Sequence, residues 1–441
     1  MTTIPQVAQA MQVVLNETAG TIGRTSGFVQ RQSPFGGAEL AQTLVFGWLG
    51  KPQATLEGLS QTAAALGVNI SAQGLDQRLG ERAAECLRQV LDRAVQQLVQ
   101  ADKVPLEVWT RFAGVYVQDS TTVTLPADLA EIWPGCGGGH TPGDGAAALK
   151  IQVQWEVQTG QLARVELQAG READRASNPW LANLPAGALA LADLGYFSLE
   201  RMAAQAAAGS FWLTRVSAGT LLVDADGQAW SFSAWLAAQP AGPVDSPIRL
   251  GVAQQLPCRL LATRVSPAMA AERRRELRAE ARRRGQAVSA ERLKLADWTV
   301  FVTNVPVAWL SLEQAWVLAR VRWQIELLFK LWKSQGQVDE WRSRKPWRIL
   351  CEVYAKLLGQ LVQHWILLVS CWQRPDRSLV KAAATIREYA AHLASTFGQP
   401  AAFKTALQLV QHCLAYGCRL NKRRGAPSTF QRLAAFELAH G

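Results

Sequence analysis

The chain has 441 residues, 49% hydrophobic and 18% charged: enough apolar material for more than one packed core, too little charge for a long disordered polyelectrolyte. Forty-six Lys and Arg against 35 Asp and Glu leave a net charge of +11, which argues against a surface built to repel polyanions and favours nucleic acid as partner. Seven Cys without a CxxC pair fit a reduced, cytoplasmic protein better than a secreted disulfide framework. No basic start followed by an apolar core is read at the N-terminus, so no secretory signal is expected.

Residues 1–110 are rich in Ala, Leu and Gln and predict a helical domain. Within it, QTAAALGVNISAQGLDQRL (61–79) reads as a helix, a Gly67-Val68 turn and a second helix capped by Ser71, the helix-turn-helix pattern of DNA-binding domains, although packed helix pairs carry the same pattern. From about 111 the periodicity turns to strands. Val115 to Val117 leads to Asp119, and LKIQVQWEV (149–157) and LARVELQAG (162–170) flank a turn at Gln158 to Gly160. READRASNPW (171–180) predicts a short helix, ALALADLGYF (188–197) a strand, SLERMAAQAAAG (198–209) a capped helix and FWLTRVS (211–217) another strand. Residues 218–298 change again to turns, short strands and a basic helix, TVFVTNV (299–305) returns to strand, and a long helix is expected from Ser311 to about Gln335. Past Pro346 the chain reads helical to its basic end, RLNKRRGAPS (419–428). The most apolar window, Val353 to Trp372, carries Lys356, Gln360, Gln363 and His364 at a spacing that suits a buried helix better than a membrane span.

Three acids call for explanation. Asp119 and Asp193 each end an apolar strand, and Glu326 sits in the middle of the long helix. If the two strands are parallel neighbours, about 5 Å apart, the aspartates project side by side and make a divalent-cation site. On a regular helix Leu318, Val321, Ile325, Leu328 and Trp332 form one apolar stripe, while Arg322, Glu326 and Lys333 line its flank within about 40° of one another. Carboxylates flanked by cations suit two-metal phosphoryl transfer on a polyanionic substrate. Surface pairing of Glu326 with Arg322 and Lys330 is the plainer reading of the same residues.

At these residues the sequence resembles the DDE transposases of bacterial insertion sequences, specifically the IS-four family with its Tyr-Arg-Glu-Lys signature. Arg322 stands four before Glu326 and Lys333 seven after it, as in the signature, whereas the Tyr position is Ala319. QDSTTVTLP looks like the family's first-Asp block, ADLGYF like its second, and TNVP precedes the last helix. The resemblance covers about 115–340. It implies an α/β fold with an RNase H-like core, a mixed five-stranded sheet with flanking helices, at 111–217 and 299–345. A β-rich insertion at 218–298 interrupts that core, and the helical 1–110 and 346–441 regions flank it, the last taken as the dimerisation segment. It further implies that Asp119, Asp193 and Glu326 hold two Mg²⁺, replaceable by Mn²⁺, and that Arg322, Lys330 and Lys333 hold phosphates. Trp298 is similar to the family's stacking Trp, which receives a base flipped out during hairpin formation; a core Trp at a strand start is the other reading. The partners implied are transposon-end and target double-stranded DNA and a second copy of the chain, in a cytoplasmic, nucleoid-associated enzyme.

Ala271 to Lys294 reads as a phosphate-tracking helix, with Arg273, Arg274, Arg282 and Arg283 as contacts, or as a solvated helix held by local ion pairs. Arg342, Arg344, Lys345 and Arg348 would extend the same surface. Trp133 to Ala147 lacks a phosphate-loop Lys-Ser/Thr, so no nucleotide cofactor is expected, though the loop could close over DNA. His412 with Cys413 and Cys418, or Cys136 with His140, completes no zinc set. A metal nuclease without strand transfer and a non-catalytic DNA-binding regulator remain the competing functions.

Overall fold

A computed structural model describes residues 3–31, 33–137, 145–174, 183–283, 285–374, 376–420 and 432. The core of the Trp133–Ala147 loop, with His140, the latter part of READRASNPW and most of the basic C-terminal segment lie outside them. Among the described residues ten strands run in chain order: β1 (Val115–Leu125), β2 (Ala147–Glu156), β3 (Leu162–Ala169), β4 (Leu189–Ala192), β5 (Phe211–Arg215), β6 (Leu221–Val223), β7 (Ala229–Ser231), β8 (Val244–Leu250), β9 (Leu256–Arg264) and β10 (Trp298–Thr303). The chain forms two compact units, one of residues 1–104, 120–172 and 324–427, the other of 105–119, 173–323 and 428–441.

The first unit is mainly helical. Its longest helix, Pro346–Cys371, is apolar nearly all round and buried along almost its whole length, as such a helix must be. Its buried ionisable residues find partners: Lys356 pairs with Glu352 at 2.9 Å and donates to the carbonyls of Gln337 and Glu340 at 3.1 and 2.8 Å, and His364 Nε2 meets the Gly160 carbonyl at 2.7 Å. Among the described residues no helix is long and apolar enough to cross a membrane. Helices Leu56–Ala65 and Ala72–Arg78 flank Gly67, whose φ of +80° makes the turn, and the Ser71 hydroxyl accepts the Gly74 amide at 3.1 Å as the capping residue. In the β2–β3 hairpin Lys150 faces Gln168 and Val153 faces Val165. Gly160 at its turn has φ +74°, and a Cβ there would meet Leu368 and Trp372 at 2.4 and 2.5 Å, so both backbone and space demand glycine.

In the second unit the strand order is β1-β4-β5-β10-β9-β8-β6-β7. β1, β4 and β5 are parallel, with Gln118 opposite Ala192 and Ala192 opposite Thr214; β10 then pairs antiparallel with β5 and with β9. The 218–298 segment is β-rich as expected, but its β9 is hydrogen-bonded along the whole of β10. These strands therefore prolong the main sheet, and Leu222, Phe232, Leu260, Trp212 and Trp298 share one hydrophobic cluster.

Two local expectations need correction. β1 does not end at Asp119: Thr121, Thr122, Val123 and Thr124 are β-branched and carry the strand on to Leu125. The helix expected from Ser311 is interrupted. Leu312–Ala319, capped by Ser311 and Gln314, gives way to a 3₁₀ turn at Arg320–Arg322 before a second α-helix, Trp323–Ser334. Arg322, Glu326 and Lys333 are therefore not on one regular helix, although the stripe Leu318, Val321, Ile325, Leu328 and Trp332 is buried throughout.

Candidate active site

The registered row Gln118, Ala192, Thr214 crosses three parallel strands about 4.8 Å apart. One residue further along each strand stand Asp119, Asp193 and Arg215. Asp193 keeps an extended backbone, φ −80° and ψ 170°, just past β4, so side-chain alternation carries through it and the two acids leave the sheet on one face. Its carbonyl accepts from Tyr196 to open the 3₁₀ turn Leu194–Tyr196, and buried Tyr196 and Phe197 anchor that turn in the core. The sequence ADLGYF thus supplies an acid and the apolar plug that holds it.

Asp119 is paired. Arg322 Nη1 donates to its Oδ2 at 3.3 Å, with both side chains 22% exposed. The 3₁₀ turn that presents Arg322 is held by buried Val321 and by the helix before it, whose Ala315, Val317 and Leu318 are buried. Asp193 makes no side-chain bond among the described residues and is half-buried. The Arg322 guanidinium on Asp119 and Arg215 next to Asp193 on the adjoining strand set acids and cations side by side at one end of the parallel strands. Among the described residues no three His, Cys, Asp or Glu side chains gather into a set that could hold a metal ion.

Glu326, half-buried, lies in the first turn of the helix Trp323–Ser334, four residues along the chain from Arg322. On the same helix Lys330 is exposed, and Lys333 donates to the Thr122 carbonyl at 2.8 Å. Trp298, the first residue of β10, is 7% exposed in the hydrophobic cluster, with the Arg264 guanidinium 4.6 Å over its ring. The indole is part of the core here, as a Trp at a strand start often is, and has no open face for a base.

The Arg-rich helix, Pro267–Arg283, buries only Ala270. Two of its arginines serve the fold: Arg273 donates to the Trp298 carbonyl at 2.9 Å and to Thr299 Oγ1 at 3.0 Å, and Arg274 donates to the Leu293 carbonyl at 3.1 Å and pairs with Asp297. Burial and nearby Arg215 pull the Arg273 guanidinium below its usual range. Arg282 and Arg283 are exposed. So are Arg342 and Arg344, while Lys345 and Arg348 grip Asp76 of the helix Ala72–Arg78 at 2.7 and 2.8 Å, which holds the Asp76 carboxyl below the usual range.

Two residues escaped the sequence reading. Arg215 is a lone basic residue closing an apolar strand; only the parallel register puts it beside Asp193. Trp323, outside the apolar stripe, is 57% exposed three residues before Glu326, with Leu327 46% exposed one turn on.

The transposase DDE domain family matches residues 110–359, more than half of the chain and all of the strands just described. The chain belongs to that family. The transposase is similar along most of its length to transposases of insertion sequences: 27% identical over 378 residues to that of element IS231F from Bacillus thuringiensis subsp. israelensis, covering 80% of this chain and 78% of the relative. It is 24% identical over 373 residues to that of IS1151 from Clostridium perfringens, covering 79% and 77%. Among solved structures, that of a piggyBac transposase synaptic complex with hairpin DNA aligns with a TM-score of 0.48 at 8% identity, covering 96% of this chain and 87% of that one. The resemblance read from the acid blocks is borne out: this is an enzyme of the DNA transposase class.

Proposed function

We propose that this transposase performs metal-dependent cut-and-paste movement of an insertion sequence, with Asp119, Asp193 and Glu326 as its carboxylates. The observation that carries the reading is the Asp119 and Asp193 pair, in register on neighbouring parallel strands inside the family-matched segment. The parallel trio β1, β4, β5 and the antiparallel β2–β3 hairpin support an RNase H-like core, the mixed sheet the family resemblance implies. Carboxylate oxygens are the donors that hard Mg²⁺ or Mn²⁺ accepts, and Mg²⁺ fills the rest of its shell with water and substrate phosphate, so Asp119 and Asp193 suit such an ion by donor chemistry, with Glu326 the third acid this reading requires. Bound there, two ions would activate the attacking oxygen and steady the leaving one.

In the first step water attacks a phosphorus at the element's end; a new P–O bond forms as the P–O3′ bond breaks, leaving a 3′ hydroxyl on the element and a 5′ phosphate on the flank. That hydroxyl then attacks the opposite strand, closing a hairpin and releasing the flank's 3′ hydroxyl with its proton. After the hairpin is reopened the same 3′ end joins target DNA. Arg215, Arg322, Lys330 and Lys333 hold non-bridging phosphate oxygens around these steps, and Arg282, Arg283, Arg342 and Arg344 track the duplex further out. The exposed Trp323 offers the ring on which an unpaired base can stack, a role for which buried Trp298 is poorly placed. Two ends processed together imply two copies of the chain, and the helical 346–441 region is the proposed contact.

A duplex of the element's end with flanking DNA, labelled on each strand and resolved on a denaturing gel, tests this. The reading expects a nick, then a hairpin of doubled strand length, then joined product, with Asp119→Asn, Asp193→Asn and Glu326→Gln stopping all three. A nick that is never followed by hairpin or joined product removes the cut-and-paste reading. Full activity in any of the three variants removes its mechanism.

A further inference from the structure

Arg322 makes a contact that phosphate binding alone does not explain. Its guanidinium sits on Asp119, the acid that the function proposed above, on which this inference rests, assigns to metal. A guanidinium at 3.3 Å occupies a carboxylate oxygen and adds a positive charge where a divalent ion would settle; both effects oppose the ion. Arg322 is carried on a 3₁₀ turn between two α-helices, a break of the kind that often marks a hinge, and its long side chain can swing without moving the buried Val321 beside it. A phosphodiester offers a guanidinium two oxygens in the geometry it prefers, and both partners here are 22% exposed, so exchange of Asp119 for a phosphate needs no unfolding of the core.

We propose that Arg322 is a resident counter-cation that keeps Asp119 from binding a divalent ion until a DNA phosphate draws the guanidinium away, so that metal loading is coupled to DNA binding. In this role Arg322 is a positioning residue acting through Asp119. The device protects the cell's DNA: an enzyme without substrate holds its metal site weakly and cuts little.

Mn²⁺ titration of the DNA-free full-length protein, followed by the loss of the free-ion electron paramagnetic resonance signal, tests the coupling. Arg322→Gln is expected to bind Mn²⁺ at least about tenfold more tightly than wild type, which is about 1.4 kcal/mol. Arg322→Lys, which keeps the charge, is expected to stay close to wild type, and Arg322→Gln with Asp119→Asn to lose the gain. A purely structural Arg322 would give weaker binding on removal, never tighter. Arg322→Gln binding no tighter than wild type, or a gain that survives Asp119→Asn, overturns the proposal. Should Arg322→Gln melt, the wild type decides: mixed-sequence duplex DNA at low salt must tighten Mn²⁺ binding beyond that of Asp119→Asn with the same DNA, and equal binding overturns it. Failure of the gate leaves end cleavage sensitive to Asp119→Asn, whereas failure of the catalytic reading leaves Asp119→Asn active.

Discussion

Two carboxylate–cation pairs in this protein make opposite use of the same chemistry. Glu352 and Lys356 are 3% and 1% exposed, 2.9 Å apart, and the ammonium also binds two carbonyls, so every charge is met and nothing is left for a ligand. Asp119 and Arg322 are 22% exposed and 3.3 Å apart, beside Asp193, which makes no side-chain bond among the described residues. A buried, fully bonded pair is part of the packing; a pair 22% exposed beside a second carboxylate lies within reach of solvent and ligand. What marks a functional charge here is its access to solvent and the second acid beside it.

The largest effects break this comparison most cleanly. Asp119→Asn and Asp193→Asn are expected to lower end cleavage by about a thousandfold or more, roughly 4 kcal/mol of barrier, while thermal stability shifts by less than about 1 kcal/mol. Lys356→Met should do the reverse: about 3–5 kcal/mol of unfolding free energy lost in denaturant titration because Glu352 is left buried and alone, with much of it restored by Glu352→Leu in the same chain. Equal destabilisation by Asp119→Asn and Lys356→Met would erase the distinction.

His364 sharpens it further. Burial pushes its imidazole down to about 4 although the Gly160 carbonyl opposes the shift. The folded value lies below the unfolded one of about 6.5, so the unfolded chain takes the proton first and stability falls as pH drops from 6.5 towards 4. Between pH 6.5 and 5 this group alone removes about 2 kcal/mol, and His364→Gln should flatten that part of a stability profile. A profile unchanged by the substitution would mean that the imidazole charges freely in the fold. The smallest effect belongs to the solvent-exposed arginines: Arg282→Ala with Arg283→Ala should lower the slope of log affinity against log salt by about 1.8, with cleavage of bound ends retained.

Much of this was legible in the residues. The apolar stripe of the Glu326 helix showed through 3.6-residue periodicity, the helix pair near 61–79 through Ser71 and Gly67, and Asp193 through an acid placed directly after an apolar run. Other features depend on information the linear order does not carry. β1 runs through Asp119 because Thr residues favour a strand only once neighbours pair with them. The 3₁₀ turn at Arg320–Arg322 lies in a stretch of good helix formers, and tertiary packing decides it. Arg215 needed the parallel register, and Trp298 needed to be seen inside its cluster, since an aromatic residue opening a strand does not reveal which face is filled.

Localised oxidation tests the central claim most directly. Fe²⁺ loaded in place of Mg²⁺ on the DNA-bound enzyme, then treated with ascorbate and peroxide, generates radicals that cut the chain beside the ion. The account predicts fragments ending near residues 119, 193 and 326, suppressed by excess Mg²⁺ and absent in Asp193→Asn. Cuts confined to other parts of the chain, or unchanged in Asp193→Asn, would contradict it.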